Sequence, residues 1–186
     1  MANIRGNTFV AVNEWMVKHL EGLRYERFMA KMRAPVARSL SRPEGWAWYP
    51  LEYLTEIYES IVQYLGNGKP APLIDIGVFL AETDLGGGPK SKTSLLPMSR
   101  ILPRLSFLWA RYKDCGEVNV EFIDEERSKA LVSITGYDGN PDHCRVNGAW
   151  IERVCKLMSG REVKAEETTC RWKVGGNTCT WEVSWQ

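Results

Sequence analysis

Three of the five cysteines gather near the end of the chain around one acidic residue. They read Cys144, then Glu167 and Cys170, then Cys179. Thiolates with a carboxylate form a tetrahedral zinc set, and four protein ligands close such a site, leaving no position for a reacting water. Two other readings of these residues stay open. Buried thiols also serve as small hydrophobes, and no Cys-x-x-Cys pair is present. His143, beside Cys144, could ligate instead, although a histidine at a helix start also caps or faces solvent. Cys115 and Cys155 read as structural.

To meet, the four positions need a helix and two strands. Asn140 caps a helix that has Pro141 in its first position and Asp142 in its first turn. Val146, Trp150, Val154 and Leu157 make one stripe, Cys144, Gly148, Ile151 and Cys155 a neighbouring one, and Gly160 ends the helix. Strands are expected over residues 162–172 and 178–185, with Cys179, Trp181, Val183 and Trp185 sharing a face. Glu167 and Cys170 are three apart, so a regular strand sends them to opposite faces. Their convergence requires a bulge or an early strand end.

The preceding chain reads as helical. Phe9, Val12, Met16 and Leu20 form one stripe over residues 8–20, and a short helix follows over 25–32. Arg33, Arg38 and Arg42 read as a solvated face, and GWAWYP (45–50) as an aromatic hinge. A strong helix over 50–65 carries Leu54, Ile57, Tyr58, Ile61, Val62 and Leu65. Another over 71–85 is expected to bury Ile74, Val78 and Ala81, with Gly77 permitting close helix approach. A last one spans 98–113, with Ile101, Leu105, Leu108, Trp109 and Tyr112 on its apolar side. The period then changes to two, and 118–135 reads as an antiparallel hairpin turned by DEER. GGGPKSKTS (86–94) is not a phosphate loop: Ser91 stands where glycine is needed before the lysine, and a helix precedes it where a strand belongs. It reads as a loop over a pocket. The expected fold is α+β, a helical layer packed on a four-stranded antiparallel sheet, in one domain over residues 1–186.

Composition narrows the function. Basic and acidic residues nearly cancel, 24 against 23, which removes the footprint of a nucleic-acid binder. No apolar run is long enough to span a bilayer. The opening MANIRGNTF lacks a signal-peptide core, and an odd cysteine count argues against a full disulfide framework, so a cytoplasmic location is expected. His19 and His143 have no serine or cysteine partner in a recognisable motif, and no dinucleotide fingerprint is present. A catalytic set is not expected. His19 could serve as a haem ligand, but a histidine at a helix C-terminus is favoured there by the dipole alone.

The element order and the ending EETTCRWKVGGNTCTWEVSW resemble the 4-vinyl reductase domain family, which shares its fold with TRAPP-type trafficking subunits and with NO-signalling and Golgi-transport ligand-binding domains. RGNTF and WYPLEYL are also similar to a paralogous family of myxobacterial proteins of unknown function. Effector-sensing members of the first family hold a structural zinc through three cysteines and a glutamate, and the resemblance maps these onto Cys144, Glu167, Cys170 and Cys179. It also implies a pocket for a small apolar ligand between helices and sheet, for which Phe107, Trp109, Tyr112, Phe122 and Trp150 are the candidates. Related domains pair through their helical layer, so the broad apolar face of 50–65 is expected to support a homodimer, the alternative being its burial under the helix over 8–20 within one chain. The reading is a non-catalytic, small-molecule-binding sensory module acting through a protein partner in signalling or regulation. The alternative is a dimeric TRAPP-like scaffold without ligand.

Overall fold

The computed structural model describes residues 2–86, 96–124 and 128–186. The GGGPKSKTS loop and the DEER turn therefore fall largely outside the described residues. The amino-terminal half is a helical layer. Strand β1 (Asn3–Arg5) leads into α1 (Gly6–His19), followed by α2 (Leu23–Met29), α3 (Ala34–Ser41), β2 (Trp48–Pro50), α4 (Leu51–Tyr64) and α5 (Ala71–Asp84). Then come α6 (Met98–Ile101) and α7 (Arg104–Tyr112), the hairpin β3 (Glu117–Asp124) and β4 (Lys129–Thr135), helix α8 (Pro141–Ser159), β5 (Val163–Thr169), α9 (Arg171–Val174) and β6 (Thr178–Trp185). Strands β3 to β6 form one antiparallel sheet in the order β3-β4-β6-β5. The α+β architecture expected from the pattern is the one observed.

The sheet has one buried and one polar face, as a period of two demands. Ala130, Val132, Ile134, Cys179, Trp181 and Val183 are buried. On the other face Ser133 pairs with Thr180 and Thr135 with Thr178 through hydroxyl contacts of 3.0 Å. Helix α8 packs on β5 and on α5, and its start is capped as read: the Asn140 side chain accepts from the amides of Asp142 and His143. Close approach of α5 and α8 depends on Gly77. A Cβ there would lie 2.5 Å from the Val146 carbonyl oxygen and 2.7 Å from the Ala149 Cβ.

Four local expectations are corrected. The segment 33–42 is not a solvated face alone: α3 buries Val36 and Leu40. The aromatic hinge contains β2, which pairs antiparallel with β1. The single helix over 98–113 is two, separated at Leu102 and Pro103, because proline cannot donate the next helical hydrogen bond. Helix α5 turns Leu73, Ile76 and Leu80 inward and leaves Ile74 half exposed. Of the apolar residues of α4 expected to support a homodimer, Leu51, Leu54, Ile57, Tyr58 and Ile61 are buried within the chain, Tyr53, Val62 and Leu65 are half-buried, and Tyr64 is exposed.

Candidate functional site

Two clusters of polar side chains lie inside this framework. The first is the thiol–carboxylate set. Cys144 projects from the first turn of α8, Glu167 from β5, Cys170 from the cap position of α9 and Cys179 from β6. Their ligand atoms all lie within 4.8 Å of one another, and the Cys144 and Cys179 sulfurs are 3.4 Å apart. Both devices that the spacing required are present. The β5–β6 register shifts between Glu167 and Thr169, and β5 ends before Cys170. The chain then makes the short helix α9, which the sequence reading missed, and returns through Gly175 and Gly176 at positive φ.

Every cysteine of the set is buried, whereas the Glu167 side chain is 22% exposed. Its Oε2 accepts from Lys173 at 3.2 Å, while its Oε1 is buried with no hydrogen-bond partner among the described residues. The Arg171 amide donates to the Cys179 sulfur at 3.4 Å. Burial raises the Cys144 and Cys170 thiols, with the neighbouring thiols and Glu167 adding to the shift. The set is three thiols around a carboxylate whose Oε1 lacks a partner among the described residues. A cleft of about 370 Å³ opens beside it, lined by Cys144, Gly148, Glu167 and Trp181 and by Ile74 and Val78 of α5.

The second cluster lies among the helices. A hole of about 20 Å³, the size of one water, is walled by Tyr58 of α4, Asp84 of α5, Tyr112, Lys113, Tyr137, and His143, Asn147 and Trp150 of α8. The Trp150 indole donates to Asp84 at 2.9 Å. His143 has both ring nitrogens engaged, one with Thr55 at 2.9 Å and one with the Tyr137 hydroxyl at 2.8 Å. Burial, with the Lys113 ammonium, lowers its pKa to about 3 and keeps the ring neutral. The Lys113 ammonium lies 3.8 Å from the centre of the Trp109 ring, and burial lowers it to about 8 against the pull of Asp84. Burial raises Asp84 against the Trp150 hydrogen bond and Lys113, and its place at the C-terminal end of α5 is the wrong end of the helix for an anion. Asn147 Nδ2 is buried with no partner among the described residues.

The five aromatic candidates do not enclose one cavity. Tyr112 and Trp150 line the small polar hole, and Trp109 packs behind it, its indole donating to the carbonyls of Cys115 and Gly116. Phe107 is 72% exposed, and Phe122 lies beside Trp185 at a separate surface depression. The sequence reading missed Asp84, Lys113 and Asn147. A signal for two of them was there. Asn147 falls on the buried stripe of α8 with His143, Trp150 and Val154, and Asp84 extends the α5 stripe of Leu73, Ile76 and Leu80. A polar residue on an apolar stripe is unusual enough to mark.

No family model matches the chain, and no curated protein matches it. Among solved structures the fold is that of H-NOX domains. An Fe(II) unliganded H-NOX protein from K. algicida superimposes with a TM-score of 0.72 at 7% identity, covering 98% of this chain and 96% of that one. An H-NOX protein from S. oneidensis in its Fe(II)NO ligation state gives 0.65 at 13% identity, covering 98% and 99%. An H-NOX domain from Shewanella oneidensis in its Fe(II)CO state gives 0.68 at 12%, covering 98% of each. The expected resemblance to 4-vinyl reductase and TRAPP-type domains draws no support from these likenesses.

They also correct the cofactor. Zinc was expected, and the metal in the proteins that share this fold is Fe(II). The interior here does not suit a haem. The hole holds about one water, and neither nitrogen of His143 is free to take an iron. His19 donates from Nδ1 to the Trp15 carbonyl at 2.7 Å and stacks on that indole at the end of α1, as the helix-end reading has it.

Proposed function

We propose that residues 1–186 form one non-catalytic sensory domain whose interior polar hole receives a small hydrogen-bonding ligand and whose response passes to a protein partner. The observation that carries this is Asn147 Nδ2, a buried donor with no acceptor among the described residues, at a hole shared with Lys113 and Asp84. Leaving such a donor unmet costs about 1–3 kcal/mol, and charges perturbed by burial beside a specific partner are functional-site candidates. The likeness to H-NOX domains supports the sensory class by fold alone. Of the sequence candidates, Tyr112 and Trp150 belong to this pocket, with Trp109 behind them. A homodimer through the early helices would have to use the part of α4 that is not covered, Tyr64 with the half-buried Tyr53 and Val62. The test is an NMR titration, read at the Asn147 side-chain amide and at the Trp150 indole N–H beside the hole, with methanol, cyanide and carbon monoxide, probes of two heavy atoms. A saturable shift of both signals from at least one probe, with the Trp150 indole shift lost in Asn147→Leu, supports the reading. No shift from any of them overturns it.

We also propose that Cys144, Glu167, Cys170 and Cys179 act together as the ligands of a thiophilic divalent cation that ties α8 to β5 and β6. The four-atom convergence and the unpartnered Glu167 Oε1 support this. Binding would displace the thiol protons, so affinity rises with pH. Co²⁺ is the probe. One equivalent, giving thiolate-to-metal absorption in wild type and none in Cys170→Ser, is the expected result. Equal absorption in both removes Cys170 from the set.

A further inference from the structure

Helix α2 faces the end of α4 and the start of α5 across an open cleft of about 580 Å³, a volume typical of small-molecule sites. One wall is basic. Arg24 and Arg27 stand one turn apart on α2, and Lys31 follows just beyond it, all three exposed. Among the described residues no carboxylate lies within ion-pair distance of any of them, whereas Arg33, Lys129, Arg153 and Lys156 elsewhere are paired. The net charge of the chain is only +1, so this local surplus does not follow from a basic composition. Among the described residues lining the cleft, Asp75 alone is acidic.

The opposite wall is mixed: Tyr64, Leu65 and Pro72 stand with Asn67 and Asp75. Trp15 is buried beneath His19, while the Tyr64 ring is 45% exposed. Its face is covered by the Lys31 ammonium at 3.7 Å from the ring centre. Guanidinium groups one turn apart are suited to a carboxylate, which they bind through paired hydrogen bonds. That face of Tyr64, once Lys31 swings off it, is suited to a flat apolar body.

We propose that this cleft binds an amphipathic organic anion, its carboxylate held by Arg24 and Arg27 and its apolar body laid against Tyr64. Lys31 moves from the ring to the carboxylate as the body takes its place. The site is separate from the interior hole and does not depend on the sensory reading. The volume and the mixed lining favour a small molecule over an acidic peptide.

Fluorescence anisotropy of 1-pyrenebutyrate with the full chain tests it, using 1-pyrenebutanol as the uncharged analogue. The expected result is saturable one-to-one binding of the acid. It should weaken about tenfold or more in Arg24→Gln/Arg27→Gln, as loss of charge-assisted hydrogen bonds implies. Binding should be unchanged in Arg100→Gln/Arg104→Gln, which removes two exposed charges elsewhere, and in Asn147→Leu, which alters only the interior hole. Equal binding of acid and alcohol overturns the proposal by reducing the cleft to an apolar patch. So does equal binding by the Arg24/Arg27 variant, or an acidic peptide that binds where pyrenebutyrate does not.

Discussion

Asp84 is where the interior hole is least favourable to the fold. Its carboxyl is raised above the unfolded value because burial penalises the charged form. Ionising it therefore lowers stability at neutral pH, and that cost disappears as the pH falls through the folded value to the unfolded one near 3.8. Asp84→Asn keeps an acceptor for the Trp150 indole and removes the charge. Urea unfolding at pH 7 should show the variant more stable by about 0.5–2 kcal/mol, with the gap closing toward pH 3. A variant less stable at pH 7 would mean that Lys113 needs the carboxylate more than burial opposes it. The thiol–carboxylate set was legible at this scale because its residues are chemically rare. Its bulge was deducible too, since a three-residue offset cannot face one way on a regular strand. Asp84 could have been marked by its place on the apolar stripe of α5, whereas Lys113 is one charged residue among many and only its burial distinguishes it.

Among the elements, α5 and α8 matter most. They cross at Gly77, carry Asp84 and Asn147 to the hole, and are tied by Arg153 of α8 donating to Glu82 of α5. Gly77→Val should force the helices apart and destabilise the chain by about 1–3 kcal/mol, the usual cost of overpacking, read as a lower urea midpoint at unchanged slope. Unchanged stability would place the crossing elsewhere. The long elements α1, α4, α5, α8, β4 and β6 could be read from periodicity, to within a residue or two at their ends. What escaped was short or set by distant partners. Strands β1 and β2 have three residues each and exist because they pair across the chain. Helix α3 shows its apolar side only once α1 and α4 are there to cover it.

As a whole the helical layer and the sheet share one continuous buried core, from Ile4 through α8 to Val183. Tryptophan fluorescence and far-ultraviolet circular dichroism should therefore report a single, coincident urea transition. Two separated transitions would divide the chain into independent units. The central claim is that occupancy of the hole at Asn147 is relayed through α5 and α8 to a surface. Amide hydrogen exchange resolved by residue, with and without whichever probe shifts the Asn147 amide, tests this most directly. The account predicts altered protection along both helices, extending beyond the pocket to Glu82 and Arg153 and weakened in Asn147→Leu. Changes confined to the residues lining the hole, with α5 and α8 otherwise unaltered, would contradict it.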